Sequence, residues 1–221
     1  MENINQYIEH TLLKQDATKE EFETLFQEAI DNNFLGVCIN PAYVSLAKEK
    51  LVDTDIKIVT VIGFPLGANH TDVKVFETQK AVVDGADEID MVLNVSKLKD
   101  KDYDYVENDI KQVRNACPNH VLKVILETDL LTQDEIIKAC ELCVKAKADL
   151  VKTSTGFVKN GVGAKAENVE IMHKTVSSKG LQVKASGGIR DYEKALQMIN
   201  AGASRLGTSS GVKIVNEKRG I

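Results

Sequence analysis

The sequence lacks the features that mark membrane-spanning, secreted and nucleic-acid-binding proteins. No apolar run reaches the roughly 18 residues of a membrane span, and the polar start MENINQYIEH differs from the basic-then-apolar layout of a signal peptide. The 28 basic and 33 acidic residues give a formal charge of -5, and the basic residues are scattered along the chain. We therefore predict a cytoplasmic protein with small-molecule partners, no membrane contact and no nucleic-acid partner.

Cysteine is scarce, and its spacing does not match a metal or redox site. Of the four cysteines, Cys140 and Cys143 form one CxxC, which lies inside the helical pattern EIIKACELCVKAK. No second pair completes a zinc site, and the four histidines show no metal-ligand spacing. We expect both cysteines to be ordinary reduced helix residues, and we predict no metal and no cofactor.

Short apolar runs alternate with longer helical patterns from one end of the chain to the other. The predicted strands cover residues 9–13, 36–40, 57–63, 88–94, 121–128, 150–155, 182–187 and 204–210. In the helical pattern TKEEFETLFQEAIDNN, Thr18 is the predicted N-cap and Glu21 stands three residues later, as in a capping box. Divided among eight strand–helix units, 221 residues give about 28 residues each, as in a small (β/α)8 barrel. We predict an α/β fold with a single TIM-barrel domain over residues 1–221; an open doubly wound sheet is the alternative.

Side-chain alternation places three charged residues on the more polar face of their strands. Successive strand residues point to opposite faces, and Asp90, Lys152 and Lys184 each lie opposite an apolar face. A strand buried on both faces of an open sheet is usually apolar throughout, so the polar face favours a barrel interior that opens to a site. We predict that the three side chains converge near the C-terminal end of the barrel, where active sites of this fold are built.

Two lysines beside a carboxylate indicate amine chemistry. Burial and a neighbouring ammonium both lower the pKa of a lysine, and a neutral amine attacks carbonyl groups to form a Schiff base. A carboxylate such as Asp90 then supplies the proton transfers. In the alternative interpretation each lysine is a satisfied interior charge, one paired with Asp90 and the other with Glu127. Because buried charges are costly, two such lysines favour the catalytic interpretation.

Glycine-rich segments follow the last two predicted strands. SGGIRD and GTSSG each lead into a helical pattern, which places backbone N–H groups at a helix N-terminus, where anions bind. Barrels often bind phosphate on the loops after strands 7 and 8, and Ser209 and Ser210 add hydroxyl donors. We therefore predict a phosphate site here. The segment GVGAK, by contrast, lacks the GxxxxGK[ST] spacing of a nucleotide-binding loop.

Several separated motifs make the chain resemble the deoxyribose-phosphate aldolases, a family of class I aldolases. The motifs are HTLLKQDAT, IGFPLGANHTDVKVFE, EIDMVLN, VKTSTGF and VKASGGIR, which occur in the family's order between about His10 and Gly211. The resemblance implies a TIM barrel that reversibly cleaves 2-deoxy-D-ribose 5-phosphate to D-glyceraldehyde 3-phosphate and acetaldehyde without a metal. It also implies a setting in deoxyribose phosphate catabolism.

The same resemblance implies a role for each candidate residue. Lys152 would form the Schiff base, Lys184 would be the second lysine that promotes its deprotonation, and Asp90 would transfer protons together with a water molecule. The residues that would hold the phosphate or shape its loops are Gly156, Gly187, Gly188, Gly207, Ser209 and Ser210. Some family members end in a tail whose terminal tyrosine assists proton transfer, whereas this sequence ends NEKRGI. Either Asp90 and water would then carry that step, or the step would be slower.

Other functions remain open on the sequence. A phosphosugar isomerase or epimerase on the same barrel would use the phosphate loops without a covalent lysine. A non-catalytic phosphosugar-binding or signalling domain is a further alternative. Its example, a flavodoxin-like receiver, would need an aspartate and only one strand-end lysine, so Lys184 and the eight units count against it. Exposed apolar positions on barrel helices are compatible with a homodimer.

Overall fold

The computed structural model describes residues 3–220 and contains eight parallel strands closed into one barrel. The strands are β1 Ile8–Leu12, β2 Gly36–Ile39, β3 Lys57–Ile62, β4 Glu88–Val92, β5 Val121–Ile125, β6 Leu150–Lys152, β7 Gln182–Ser186 and β8 Arg205–Thr208. Each strand pairs with its neighbours in sequence, and β8 pairs with β1 to close the barrel. The predicted (β/α)8 TIM barrel is confirmed, and the open doubly wound sheet is wrong. The first two residues of the polar start and the last residue of the NEKRGI ending lie outside the described residues.

Helices connect the strands on the outside of the barrel. They are α1 Lys19–Asp31, α2 Val44–Lys50, α3 Thr71–Asp84, α4 Val95–Lys99, α5 Tyr103–Ala116, α6 Gln133–Lys145, α7 Ala166–Val176, α8 Tyr192–Asn200 and α9 Gly211–Arg219. Helix α1 begins as predicted, because the Glu21 amide donates to the Thr18 hydroxyl and the Thr18 amide donates to the Glu21 carboxylate at 2.8 Å. Within residues 3–220, each helix is too short or too polar to cross a membrane.

The main hydrophobic core lies between the barrel and the ring of helices. Ile89 and Met91 of β4 are fully buried in it, on the opposite face of the strand from Asp90. Burial of such side chains stabilises the fold by roughly 1.5–3 kcal/mol each. Cys140 and Cys143 of α6 belong to the same core, and burial raises the pKa of the Cys140 thiol to about 12. Both thiols are free, which confirms that this CxxC is part of an ordinary helix.

The interior of the barrel is divided into an apolar part and a charged part. Cys38 of β2 and the valines Val59 and Val61 of β3 form a small buried cluster with Leu13. Strands β1, β4, β5, β6 and β7 carry buried charged side chains instead, and Arg205 of β8 is half-buried. The charged part therefore runs from Glu88 at the start of β4 to Lys152 at the end of β6.

Candidate active site

The barrel interior brings together the three charged residues that the sequence analysis selected. Lys152 Nζ donates to Asp90 Oδ2 at 2.8 Å, and Lys184 Nζ donates to the same oxygen at 2.7 Å. Asp90 and Lys184 are fully buried, and Lys152 is 3% exposed. The predicted convergence is thus present, with Asp90 bridging the two lysines.

Further charged side chains, to which the sequence analysis gave no role, surround this trio. Lys123 donates to Asp90 Oδ1 at 2.9 Å and lies 2.6 Å from Glu88. Alternation along the strands indicates that both side chains face the barrel interior with Asp90. Glu88 lies two positions before Asp90 on β4, and Lys123 is the register partner of Asp90 on β5. Lys123 therefore occupies the Asp90 oxygen that the other two lysines leave free.

Glu9 and Arg205 extend the cluster toward the N-terminal end of the barrel. Glu9 accepts a hydrogen bond from Lys184 and lies 3.4 Å from Lys123. Arg205 lies 3.3 Å from carboxylate oxygens of both Glu9 and Glu88. The carboxylates of Glu9, Glu88 and Asp90 are therefore each paired with more than one cation.

These contacts set the protonation states around the reactive position. Burial works to raise the pKa of Asp90, but Lys123, Lys152 and Lys184 outweigh it and hold that pKa well below its usual range. Burial works to lower the pKa of Lys184, but the carboxylates of Asp90 and Glu9 keep it above its ordinary value. At neutral pH Asp90 is a carboxylate and Lys184 is a cation.

A cavity of about 380 Å³ opens above the cluster at the C-terminal face of the barrel. Of the residues Asp90, Lys152 and Lys184, only Lys152 lines it. The predicted phosphate-site residues that line the same cavity are Gly156, Gly187, Gly188, Gly207 and Ser209. A ligand held by these loops therefore lies in the same space as the Lys152 amine.

Ser210 lies at the start of α9, outside this cavity. Its amide donates to the Thr208 hydroxyl at 2.9 Å, and the residue lines a neighbouring cavity of about 620 Å³ with His10 and Glu28. Ser210 is the N-cap of α9 and makes no side-chain cap hydrogen bond. The first-turn N–H groups of α9 thus lack the side-chain partner that most caps supply.

The alternative interpretation required Glu127 to pair with one of the two lysines, and it does not. The Thr155 amide lies 3.1 Å from Glu127 Oε1, and the Thr155 hydroxyl donates to Glu127 Oε2. Both Lys152 and Lys184 bind Asp90 instead. Burial raises the pKa of Glu127. That half of the alternative interpretation is wrong.

One group of side chains within residues 3–220 has the spacing of a metal site. Glu9, Cys38 and Asp90 present ligand atoms within 4.8 Å of one another. Both carboxylates already accept hydrogen bonds from Lys184, and burial raises the pKa of the Cys38 thiol, which disfavours the thiolate that binds metals. This donor set fits lysine cations better than a metal ion, and the absence of a metal stays a prediction.

The whole chain is similar to known aldolases. It matches the model of the DeoC/LacD family aldolases over residues 4–217. A deoxyribose-phosphate aldolase from Mycoplasma capricolum is 56% identical over 212 residues, which cover 96% of this chain and 94% of the relative. A deoxyribose-phosphate aldolase from Thermococcus gammatolerans is 55% identical over 221 residues, which cover 98% of this chain and 97% of the relative. A tetrameric deoxyribose phosphate aldolase structure from Aeropyrum pernix superposes with a TM-score of 0.88 at 33% identity, covering 98% of this chain and 91% of that one.

Proposed function

The chain belongs to the DeoC/LacD family of aldolases, and we propose that it reversibly cleaves 2-deoxy-D-ribose 5-phosphate through a Schiff base at Lys152. The products are D-glyceraldehyde 3-phosphate and acetaldehyde, so the protein is a carbon–carbon lyase. The observation that carries the proposal is the position of Lys152, which lines the cavity while Lys123 and Lys184 lie fully buried behind it. An aldehyde that enters the cavity meets the Lys152 amine first.

The charge balance of the cluster supports this assignment. Nucleophilic attack requires a neutral amine. With Lys152 neutral, the carboxylates in the described cluster equal the cations in number; they are Glu9, Glu88 and Asp90 against Lys123, Lys184 and Arg205. The neutral amine that attacks the aldehyde therefore needs no further counter-charge from the cluster.

The chemistry follows from this arrangement. The Lys152 amine attacks the C1 aldehyde of the open-chain sugar and expels water to give an iminium ion. The C3 hydroxyl passes its proton through water to Asp90, the C2–C3 bond breaks, and its electrons flow to the iminium to form an enamine. D-Glyceraldehyde 3-phosphate leaves. Protonation of the enamine at C2 and hydrolysis then release acetaldehyde and restore Lys152, while Lys184 remains the adjacent cation.

The substrate phosphate is proposed to bind on the glycine turns at the rim of the cavity. Gly156, Gly187 and Gly188 have φ angles of +85°, +86° and +72°, a region that side chains rarely adopt. Such turns direct backbone N–H groups toward an anion. The other proposed residues of this site are Gly207, Ser209 and, through the N-terminus of α9, Ser210. Arg190 and Lys14 line the same cavity and add positive charge.

The cellular and quaternary settings are further proposals. We infer one catalytic domain over residues 1–221, cytoplasmic, with no nucleic-acid or membrane partner and a role in deoxyribose phosphate catabolism. A homodimer is supported by an apolar stripe on α3, where Val73, Phe76 and Val83 are 50%, 69% and 81% exposed. Light scattering tests this point, and the mass of a monomer would contradict it.

Borohydride trapping tests the proposed function. Acetaldehyde and sodium borohydride should add one ethyl group to the protein, which peptide mapping should locate on Lys152. A matched Lys152→Arg variant keeps the charge and should lose the adduct. An adduct on Lys184 would reverse the roles of the two lysines. A folded protein that binds the phosphosugar and forms no adduct would instead fit an isomerase or epimerase.

A further inference from the structure

The turn after β5 carries two carboxylates that reach toward the phosphate loops. We refer to residues 127–129, Glu127, Thr128 and Asp129, as the acidic turn. The turn is anchored to the neighbouring strand connection, because the Thr128 amide donates to the Thr153 carbonyl at 2.9 Å. Its two carboxylates then contact two different loops, and neither is used in the chemistry at Lys152.

Glu127 fixes the turn that follows β6. Its carboxylate accepts the Thr155 amide at 3.1 Å and also accepts the Thr155 hydroxyl. The same hydroxyl oxygen accepts the Phe157 amide at 3.1 Å. Gly156 lies between these two residues, so Glu127 holds both sides of the Gly156 turn.

Asp129 acts on the turn that follows β7. Its Oδ2 accepts the Gly163 amide at 2.7 Å. Gly163 is pressed against Gly187 so closely that a Cβ on Gly163 would lie 2.4 Å from the Gly187 carbonyl. The Ala164 amide donates to that carbonyl at 2.9 Å. Asp129 therefore holds the Gly187 turn in place through Gly163.

The backbone conformation of Glu127 indicates that the structure depends on a carboxylate at this position. Glu127 has φ +62° and ψ +61°, a left-handed conformation that glycine or asparagine adopts at lower cost. The residue is also only 4% exposed, and burial raises its pKa. A strained, buried carboxylate persists where contacts with the surrounding structure hold it in place. At Glu127 those contacts are the hydrogen bonds from Thr155.

We propose that Glu127 and Asp129 are positioning residues that set the separation of the Gly156 and Gly187 turns and so give the site its selectivity for a phosphorylated substrate. The inference rests on the proposed function, because it takes those turns to be the phosphate site. Glu127 acts through Thr155, and Asp129 acts through Gly163. A carboxylate repels a phosphate directly, so neither residue is a ligand of the anion.

Alanine variants test the proposal by comparing two substrates. Glu127→Ala and Asp129→Ala should each raise KM for 2-deoxyribose 5-phosphate about tenfold, as expected for loss of a charged hydrogen bond that orders the site. The kcat value and the KM for unphosphorylated 2-deoxyribose should stay unchanged. Asp134→Ala, which removes an exposed carboxylate at the start of α6, is the matched control and should leave both KM values unchanged.

Conservative variants separate position from charge. Glu127→Gln keeps an oxygen that can accept the Thr155 amide, and Asp129→Asn keeps one for Gly163. Both should therefore have a KM for 2-deoxyribose 5-phosphate close to that of the wild type. If Glu127→Gln raised KM as much as Glu127→Ala, charge rather than positioning would be responsible, and the proposal would be overturned.

Failure of this inference can be distinguished from failure of the proposed function. Borohydride trapping of acetaldehyde on Lys152 needs no phosphate, and it should be equal in wild type and variants. Inorganic phosphate binding, measured by calorimetry, should weaken in both alanine variants even if the trapping fails. Folded alanine variants with wild-type phosphate affinity, or with equal effects on both substrates, would overturn the inference. Asp129 is half-buried, so Asp129→Ala decides the question if Glu127→Ala does not fold.

Discussion

Lys152 and Lys184 are direct register partners on the adjacent strands β6 and β7. Parallel neighbours in register point their side chains to the same face, and their strands lie about 4.8 Å apart. The two lysine side chains therefore run side by side into the barrel and reach the same oxygen of Asp90. The register of β6 and β7 therefore places the proposed nucleophile, Lys152, beside the proposed cation, Lys184, and no loop is needed to position either one.

Asp90→Asn tests the proposed proton transfer. An amide cannot take up the proton, and both lysines lose the carboxylate that they share. We expect kcat for cleavage to fall by about 10²–10⁴-fold, measured by coupled detection of D-glyceraldehyde 3-phosphate. Inorganic phosphate should still bind, because the glycine turns are untouched. A variant with wild-type kcat and a raised KM would show that Asp90 serves binding instead.

Lys123 and Glu88 offer a test of charge balance in the barrel interior. Their charged atoms lie 2.6 Å apart, and both side chains are buried. Lys123→Met leaves buried carboxylates short of a cation and should lower the free energy of unfolding by about 3–5 kcal/mol. The double variant with Glu88→Gln should lose less than the sum of the two single variants, measured by urea unfolding. Additive losses would mean that the two charges do not interact.

The stability of the protein should decline in acid because of Asp90 and Glu9. Burial works to raise the pKa of Glu9, but Lys123 and Lys184 lower it, and the pKa of Asp90 is lowered more strongly. Groups with a lowered folded-state pKa stabilise the protein above their unfolded pKa, which is about 4. That stability is lost as the pH falls through the folded-state pKa. Glu127, whose pKa is raised, contributes with the opposite sign.

Urea unfolding at a series of pH values measures this effect. We expect the free energy of unfolding to fall below about pH 4. Glu9→Gln should make the acid limb shallower, because that side chain no longer titrates. An acid limb of the same steepness in the variant would assign the decline to other carboxylates.

Gly163→Ala should disturb the phosphate loops directly. A Cβ at this position would lie 2.4 Å from the Gly187 backbone, and its φ of +75° is unfavourable for alanine. Gly180→Ala is the matched control, since its φ is +87° and a Cβ there would meet nothing within 4 Å. Both variants should lose about 1–2 kcal/mol of stability from backbone strain, and Gly163→Ala should lose more because its Cβ clashes with the Gly187 backbone. Only Gly163→Ala should also weaken phosphate binding, as calorimetry would measure; equal phosphate affinities would contradict the close packing.

Alternation along single strands was sufficient to bring Asp90, Lys152 and Lys184 together before the structure was known. It could not reveal the contact between Arg205 and Glu88, which joins residues 117 positions apart. Contacts across a barrel depend on the tilt and stagger of all eight strands, and a single strand does not encode these. The glycine turns proposed to bind phosphate were selected by their order along the chain, but the separate position of Ser210 was not foreseen.

The misassignment of Glu127 has a local cause. The predicted strand 121–128 ends in the structure at Ile125, and Glu127 adopts a left-handed backbone. The two-residue alternation therefore stops before Glu127, and its side chain turns to Thr155 instead of the lysines. The predicted strand 150–155 is likewise too long, since β6 ends at Lys152, and the Thr153 hydroxyl beyond it donates to the Ser186 carbonyl at 2.9 Å.

The interior residues and the rim turns are held in place by different parts of the fold, which affects how the substrate range of this enzyme could evolve. Asp90, Lys152 and Lys184 are held by strand register, whereas the Gly156 and Gly187 turns are held by the acidic turn from outside the barrel interior. We therefore expect mutations at the rim to alter which aldehyde is accepted while the three interior residues keep their positions. Natural selection and laboratory evolution would both be expected to change the accepted aldehyde through substitutions at the rim of the cavity, with the barrel interior unchanged.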